Sequence, residues 1–294
     1  MNLIQELEQQ KLITPPYWLP TNICLLARTG SFSYGCSIDN SDQDIYGVVC
    51  PTREILFPHE KGYILGFGTP PQKFEQYVDH NIIDGDKEYD ITVYNIVKFF
   101  ELCRGGNPNL IDALFTPSDC ILYITKSGNL IRENRKLFLS KALWPKFKGF
   151  IFNHYRNLQK PKTVGKRAGL VEAHGYDIKD FAHCARTLLN LKEILINGDF
   201  DPRKYKDMIL EIRRGEWPYE KAMEWIPAQE SELETLKEKS SLPEVADEDV
   251  LKQLLLECLE IHYGKLHNVI FDATKPQKIC REILNLLQQN LGTF

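Results

Sequence analysis

The fold is decided by the stretch Gly30-Ser31-Phe32-Ser33-Tyr34-Gly35, which is followed, eleven residues after Ser31, by Asp42-Gln43-Asp44. Apolar runs lie on both sides, at 23–27 before the turn and at 46–50 after the second aspartate. Short apolar runs bounded by turn residues predict buried strands. Residues two apart on a strand point to the same face. We therefore expect Asp42 and Asp44 to present two carboxylates beside the Gly-Ser turn.

This combination of turn and carboxylates favours phosphate chemistry. Mg²⁺ prefers carboxylate oxygens together with substrate phosphates, and the backbone N–H groups of a Gly-Ser turn can bind the phosphates. Gly-Ser pairs are usually simple turns, and an Asp-x-Asp pair is usually solvated. The two together, in this order and at this spacing, are more specific than either alone.

A third carboxylate is expected farther along the chain. Asp90 directly precedes the β-branched and aromatic run Ile91-Thr92-Val93-Tyr94, and a helix is predicted from residue 96 to the Gly105-Gly106 pair. A two-metal site requires a further carboxylate on a neighbouring strand. Glu88 is the alternative, since it lies two residues earlier on the same face. An acidic, solvated loop before a helix is the simpler interpretation.

Length, composition and charge narrow the class of protein. The 294 residues suffice for one large domain or two ordinary ones. A formal net charge of −4 argues against a broad basic surface that grips long nucleic acid. The first residues are polar, and no apolar run approaches the roughly 18 residues of a membrane span. We therefore expect a cytoplasmic protein that does not contact membranes.

The second half of the chain is predicted to be almost entirely helical. A cluster of basic residues free of acidic ones lies at 156–167 and includes Lys166 and Arg167. It is followed by Tyr176, Lys179, His183 and Arg186, spaced 3, 4 and 3 residues apart. This spacing predicts one polar helix face, which is unusual for a face buried in a core. An exposed helix surface is the alternative.

The motifs together resemble a known superfamily. Gly30-Ser31 followed by Asp42-x-Asp44 resembles the signature of the nucleotidyltransferases that include DNA polymerase beta. Additional motifs resemble the branch associated with RNA repair in bacteria and large phages, over roughly residues 20–215. These additional motifs are Gly35, Ser41, Gly47, Asp90-Ile91-Thr92-Val93-Tyr94, Gly106-Asn107-Pro108 and Ala113-Leu114-Phe115. Gln43 departs from the pattern, because many members carry an apolar residue there.

The resemblance implies an α+β fold with a mixed-sheet nucleotidyltransferase domain at residues 1–122. A helical domain at residues 123–294 would close the cleft. By the same resemblance, two Mg²⁺ ions would be held by the catalytic carboxylates Asp42, Asp44 and Asp90. The nucleoside triphosphate (NTP) would be bound by Gly30, Ser31, Ser41, Lys166, Arg167, Tyr176, Lys179, His183 and Arg186.

Three functions remain open from the sequence. The first is transfer of a nucleoside monophosphate from an NTP to a hydroxyl on RNA, such as a tRNA-like end, as the repair-associated branch implies. The second is transfer of AMP to a protein, because the motif also resembles minimal nucleotidyltransferases of toxin–antitoxin systems. The third is an NTP-binding module without catalysis. The intact Asp42 and Asp44 argue against the third.

Overall fold

The computed structural model describes residues 1–37, 42–160 and 168–266, together with residues 280 and 283. The strands are β1 (Ile23–Arg28), β2 (Gln43–Val49), β3 (Gln76–Asp84), β4 (Lys87–Asn95) and β5 (Ile121–Ile124). The helices of the first half are α1 (Leu3–Gln9), α2 (Gly30–Ser33), α3 (Arg53–Leu56), α4 (Ile96–Arg104) and α5 (Pro108–Leu114). The later helices are α6 (Lys126–Glu133), α7 (Trp144–Gln159), α8 (Ala168–His174), α9 (Ile178–Asn197), α10 (Lys206–Arg213), α11 (Tyr219–Lys239) and α12 (Glu248–Tyr263).

The five strands form one mixed sheet in the order β3-β4-β2-β1-β5. Strands β2 and β4 pair in parallel, and the other neighbours pair antiparallel. Between residues 124 and 266, the described parts of the chain contain helices and loops only. The predicted α+β architecture, with a mixed sheet followed by a helical region, is therefore confirmed.

Strand β3 was not predicted from the sequence. Most of its residues are exposed or half-buried, because it lies at the edge of the sheet and pairs with β4 alone. It therefore lacks the apolar run that marks a buried strand. Strand β5 crosses the predicted domain boundary at residue 122, and the boundary itself stays a prediction.

The sheet is covered on both faces, which makes β1 and β2 rigid supports for the residues at their ends. One face packs on the N-terminal segment through Ile4, Leu7 and Leu26. The other face contributes Leu25 and Val48 to a larger core that extends through the helices. None of the described helices is long and apolar enough to cross a membrane.

Candidate active site

The three predicted carboxylates lie on, or directly before, two strands that pair in parallel. In this pairing Gln43 lies opposite Tyr89, and Asp44 lies opposite Asp90. Asp42 is exposed and directly precedes β2. The register therefore brings Asp90, and not Glu88, beside Asp44.

The carboxyl group of Asp44 is half-buried, and its surroundings oppose its negative charge. Burial raises its pKa above the ordinary value, and the positive charge of Arg186 lowers it. The negative charges of Asp90 and Asp42 raise the pKa of Asp44 further. Carboxylates that disfavour one another's ionisation provide a donor set suited to a hard divalent cation.

The Gly30-Ser31 turn lies directly against Asp44. Thr29 N donates a hydrogen bond to Asp44 O at 2.8 Å. Gly30 has a φ of +59°, and a Cβ at this position would lie 2.0 Å from Asp44 Oδ2. A side chain at position 30 would thus collide with the carboxylate as well as strain the backbone. Glycine is required here because the turn and the aspartate share this space.

Asp90 has partners of its own on the neighbouring edge strand. Asn81 N donates to Asp90 Oδ1 at 2.9 Å, and His80 Nδ1 lies 3.3 Å from the same oxygen. Asp90 lies beside the cavity described next but is not part of its lining. In the described parts of the chain, no three or more His, Cys, Asp or Glu side chains are gathered closely enough to hold a metal ion.

A cavity of about 550 Å³ lies between the ends of β1 and β2 and the helices α5, α7, α9 and α10. From the sheet side it is lined by Thr29, Gly30, Ser31, Tyr34, Cys36, Asp42, Asp44 and Tyr46. From the helical side it is lined by Asn109, Asp112, Phe150, His154, Lys179, Ala182, His183, Arg186, Ile209 and Arg213. Two separate motifs of the sequence therefore meet at one cavity.

Helix α9 carries three of the four residues predicted to share one face. The Asp177 side chain caps the helix by accepting hydrogen bonds from Lys179 N and Asp180 N. Lys179, His183 and Arg186 follow at helical spacing and line the cavity. The prediction that Tyr176 lies on this face is wrong, because Tyr176 precedes the cap. It is 1% exposed, and its hydroxyl donates to Trp217 O at 2.7 Å.

Arg186 belongs to a polar network as well as to the cavity. Its Nη2 lies 3.9 Å from Asp112 Oδ2, and its guanidinium carbon lies 4.5 Å from the centre of the Tyr34 ring. Asn190 Nδ2 donates to Asp112 Oδ1 at 3.0 Å and contacts the Tyr34 hydroxyl. Burial raises the pKa of Asp112, and the charge of Arg186 lowers it. The network fixes the guanidinium between α5 and the Gly-Ser turn.

Several lining residues were not identified from the sequence. Asp112 interrupts the apolar run 110–114, and a lone acid in such a run could have been noticed. Phe150 and His154 are on α7, where the apolar residues at 147, 150, 151, 155 and 158 form a stripe typical of a helix face buried in a core. Ser41, Lys166 and Arg167, which the sequence predicts to bind the nucleotide, lie outside the described residues.

Comparison with known proteins decides the family. The sequence matches a model of the RNA repair pathway DNA polymerase beta family, RlaP, over residues 3–260. The chain belongs to this family. Membership makes it a polymerase-beta-like nucleotidyltransferase of an RNA repair pathway, which confirms the resemblance. The RlaP family further implies an NTP substrate and a nucleic-acid acceptor.

Other comparisons add little to the RlaP assignment. No curated protein matches the chain. A crystal structure of a nucleotidyltransferase-like protein from Exiguobacterium sibiricum is similar, with 9% sequence identity and a TM-score of 0.28. The similarity covers 90% of this chain and 74% of that one.

Proposed function

We propose that the protein transfers a nucleoside monophosphate from an NTP to the terminal hydroxyl of an RNA and releases pyrophosphate. The observation that supports this most strongly is the cavity lining itself. It combines the Gly30-Ser31 turn and the carboxylates of Asp42 and Asp44 with Lys179 and Arg186 from α9. Carboxylates and cations that face one cavity suit a metal-bound polyphosphate.

The carboxylates fit the divalent metal that this chemistry uses. Asp44 is a half-buried carboxylate with a raised pKa, and the charges of Asp42 and Asp90 contribute to the shift. Asp42 and Asp44 would hold two Mg²⁺ ions. Asp90 lies opposite Asp44 but outside the cavity lining, so its side chain would have to turn toward the ions to complete the shell of one. When bound, the ions polarise the α-phosphate and favour the alkoxide form of the attacking hydroxyl.

The side chains of the helical region fit the triphosphate. Arg186 Nε is buried and has no hydrogen-bond partner among the described residues. A buried donor without a partner is costly unless a ligand satisfies it. A phosphate oxygen would do so with a charge-assisted hydrogen bond. Lys179 is exposed in the same cavity and would neutralise additional phosphate charge.

We infer the following reaction from the family and from the residues that line the cavity. The acceptor hydroxyl gives its proton to a carboxylate oxygen of Asp90. The oxygen of the acceptor hydroxyl then forms a bond to the α-phosphorus. The bond from the α-phosphorus to the bridging oxygen of pyrophosphate breaks, and the pyrophosphate leaves with the electron pair. Lys179 and Arg186 stabilise the charge that develops on the leaving group.

The test is transfer of label from α-³²P-labelled NTPs in the presence of Mg²⁺. The protein is incubated with total tRNA, with tRNA whose terminal diol has been oxidised by periodate, and without RNA. We expect label on intact tRNA only, and none with Asp42→Asn. Label on the protein alone would support AMP transfer to protein. NTP binding without any label transfer would support a binding module and contradict the proposal.

A further inference from the structure

Three aromatic rings lie together on the helical side of the cavity. Phe150 and His154 are on α7, and His183 is on α9. The ring centres of Phe150 and His154 are 4.6 Å apart. Those of His154 and His183 are 5.4 Å apart, with the ring planes within 20° of parallel. We call these three residues the aromatic shelf.

The ring of His154 is held in place by a buried carboxylate. Asp180 Oδ1 accepts a hydrogen bond from His154 Nδ1 at 2.8 Å, and Asp180 is 5% exposed. A buried carboxylate that orients an imidazole fixes the plane of the ring. His154 remains partly exposed and lines the cavity. It therefore presents a fixed ring edge or face to whatever occupies the cavity.

The aromatic shelf lies beside the residues that we propose to bind the phosphates. Arg186 contacts Tyr34, which follows the Gly-Ser turn, and its positive charge lowers the pKa of Asp44. His183 precedes Arg186 by three residues, which is about 4.5 Å along the axis of a helix. Lys179 lies on the other side of His183, so phosphates bound by both cations would lie along α9, and the nucleoside part of the NTP would lie toward the two rings on α7.

We infer that the aromatic shelf stacks the nucleobase of the bound NTP. This inference rests on the proposed function, since it assigns the base to a subsite of the same cavity. Every base has a π-face, so stacking on Phe150, His154 and His183 tolerates different bases. We therefore expect affinity for a nucleobase with weak discrimination among the four.

The test compares two ligands that differ in the nucleoside. Binding of ATP and of inorganic tripolyphosphate, each with Mg²⁺, is measured by calorimetry for the wild type and His154→Ala. Loss of a stacking partner should weaken ATP binding roughly fivefold to a hundredfold. Tripolyphosphate binding should stay within about twofold, because no base is present to stack. His154→Phe keeps a ring and should restore most of the affinity for ATP.

Phe152→Ala is the matched control, because Phe152 is on α7 as well but is 58% exposed and does not line the cavity. It should bind both ligands as the wild type does. If thermal melting shows that His154→Ala does not fold, Phe150→Ala provides the same comparison.

Three results would overturn the inference. Equal weakening of ATP binding and tripolyphosphate binding in His154→Ala would show that His154 contacts phosphate. Unchanged ATP binding with weakened binding of an RNA oligonucleotide would assign the aromatic shelf to the acceptor. Failure of the wild type to bind either ligand would overturn the proposed function together with this inference, whereas the first two results leave the proposed function standing.

Discussion

Asp44 on β2 lies opposite Asp90 on β4 in a parallel pair of strands. The two strands are not consecutive in the chain, because β3 lies between them in sequence and pairs with the outer edge of β4. A parallel pair runs in one direction, so carboxylates at matching positions reach the same end of the sheet. Asp42, directly before β2, is at that end as well.

Asp42→Asn should abolish Mg²⁺-dependent turnover of NTPs and leave the fold intact. Asp42 is exposed, so the substitution disturbs no packing. The measurement is pyrophosphate release, with thermal melting as the check on folding. Asp86→Asn is the control, since Asp86 is an exposed acid in the turn between β3 and β4. Turnover of Asp42→Asn within a few-fold of the wild type would rule out its role as a metal ligand.

Asp44→Asn should also abolish turnover, but its effect on stability should depend on pH. Burial raises the pKa of Asp44 in the folded protein. The folded state therefore binds this proton more tightly than the unfolded state, whose pKa is about 3.9. As pH rises through the interval between these two pKa values, the wild type loses stability.

Asp44→Asn does not lose stability in this way as pH rises, so it should be at least as stable as the wild type at neutral pH without Mg²⁺. Melting temperatures measured from about pH 4 to pH 7 check this expectation. Added Mg²⁺ should raise the melting temperature of the wild type and not that of Asp44→Asn. A variant that is less stable than the wild type throughout the range would contradict the prediction.

Asp90→Asn should reduce turnover on the order of a thousandfold or more, as expected for the loss of a ligand to the catalytic metal. Glu88→Gln should remain active, because Asp44 pairs with position 90 and not with position 88. Steady-state rates of both variants at saturating Mg²⁺ decide between them. The reverse result would assign the role of metal ligand to Glu88, two residues earlier on β4, and would leave the fold unchanged.

Lys179→Ala should weaken NTP binding roughly tenfold to a hundredfold, the equivalent of about 1.5–3 kcal/mol for a charge-assisted contact. Its stability should change little, because Lys179 is exposed. Titration of labelled ATP with Mg²⁺ measures the affinity. Lys192→Ala, at the far end of α9, removes a lysine that pairs with Glu232 and should leave binding unchanged. Equal affinities of Lys179→Ala and the wild type for ATP would show that Lys179 on α9 does not contribute to NTP binding.

Arg186→Ala should weaken NTP binding and also lower stability, in contrast to Lys179→Ala. The side chains of Arg186 and Asp112 are 13% and 14% exposed. Removal of the cation leaves Asp112 without its compensating charge, at a cost of about 3 kcal/mol. Burial already raises the pKa of Asp112. The loss of stability in Arg186→Ala should therefore become smaller as pH falls and Asp112 takes up a proton.

The double variant Arg186→Ala, Asp112→Asn separates the two effects. It should recover most of the lost stability, because no unpaired charge remains, but it should still bind NTP weakly. Denaturant unfolding and ATP titration of Arg186→Ala and of the double variant provide the comparison. Recovery of NTP affinity in the double variant would show that Arg186 does not contact the nucleotide.

Local patterns in the sequence determined the elements closest to the Gly-Ser turn. Strand β1 and most of β2 are where the apolar runs predicted them, because a buried strand is recognisable from its own residues. Helix α4 begins at residue 96 and ends before the Gly105-Gly106 pair, as predicted. The common face of Lys179, His183 and Arg186 follows from helical spacing alone.

Only the tertiary structure decided which residues come together. The position of Asp90, rather than Glu88, opposite Asp44 depends on the register between two non-consecutive strands, which no local pattern specifies. Phe150 lies on an apolar stripe, and whether such a ring faces the core or a cavity depends on the helices that pack beside it. Arg186 acquires Asp112 as its partner because α5 and α9 meet there, a contact between residues far apart in sequence.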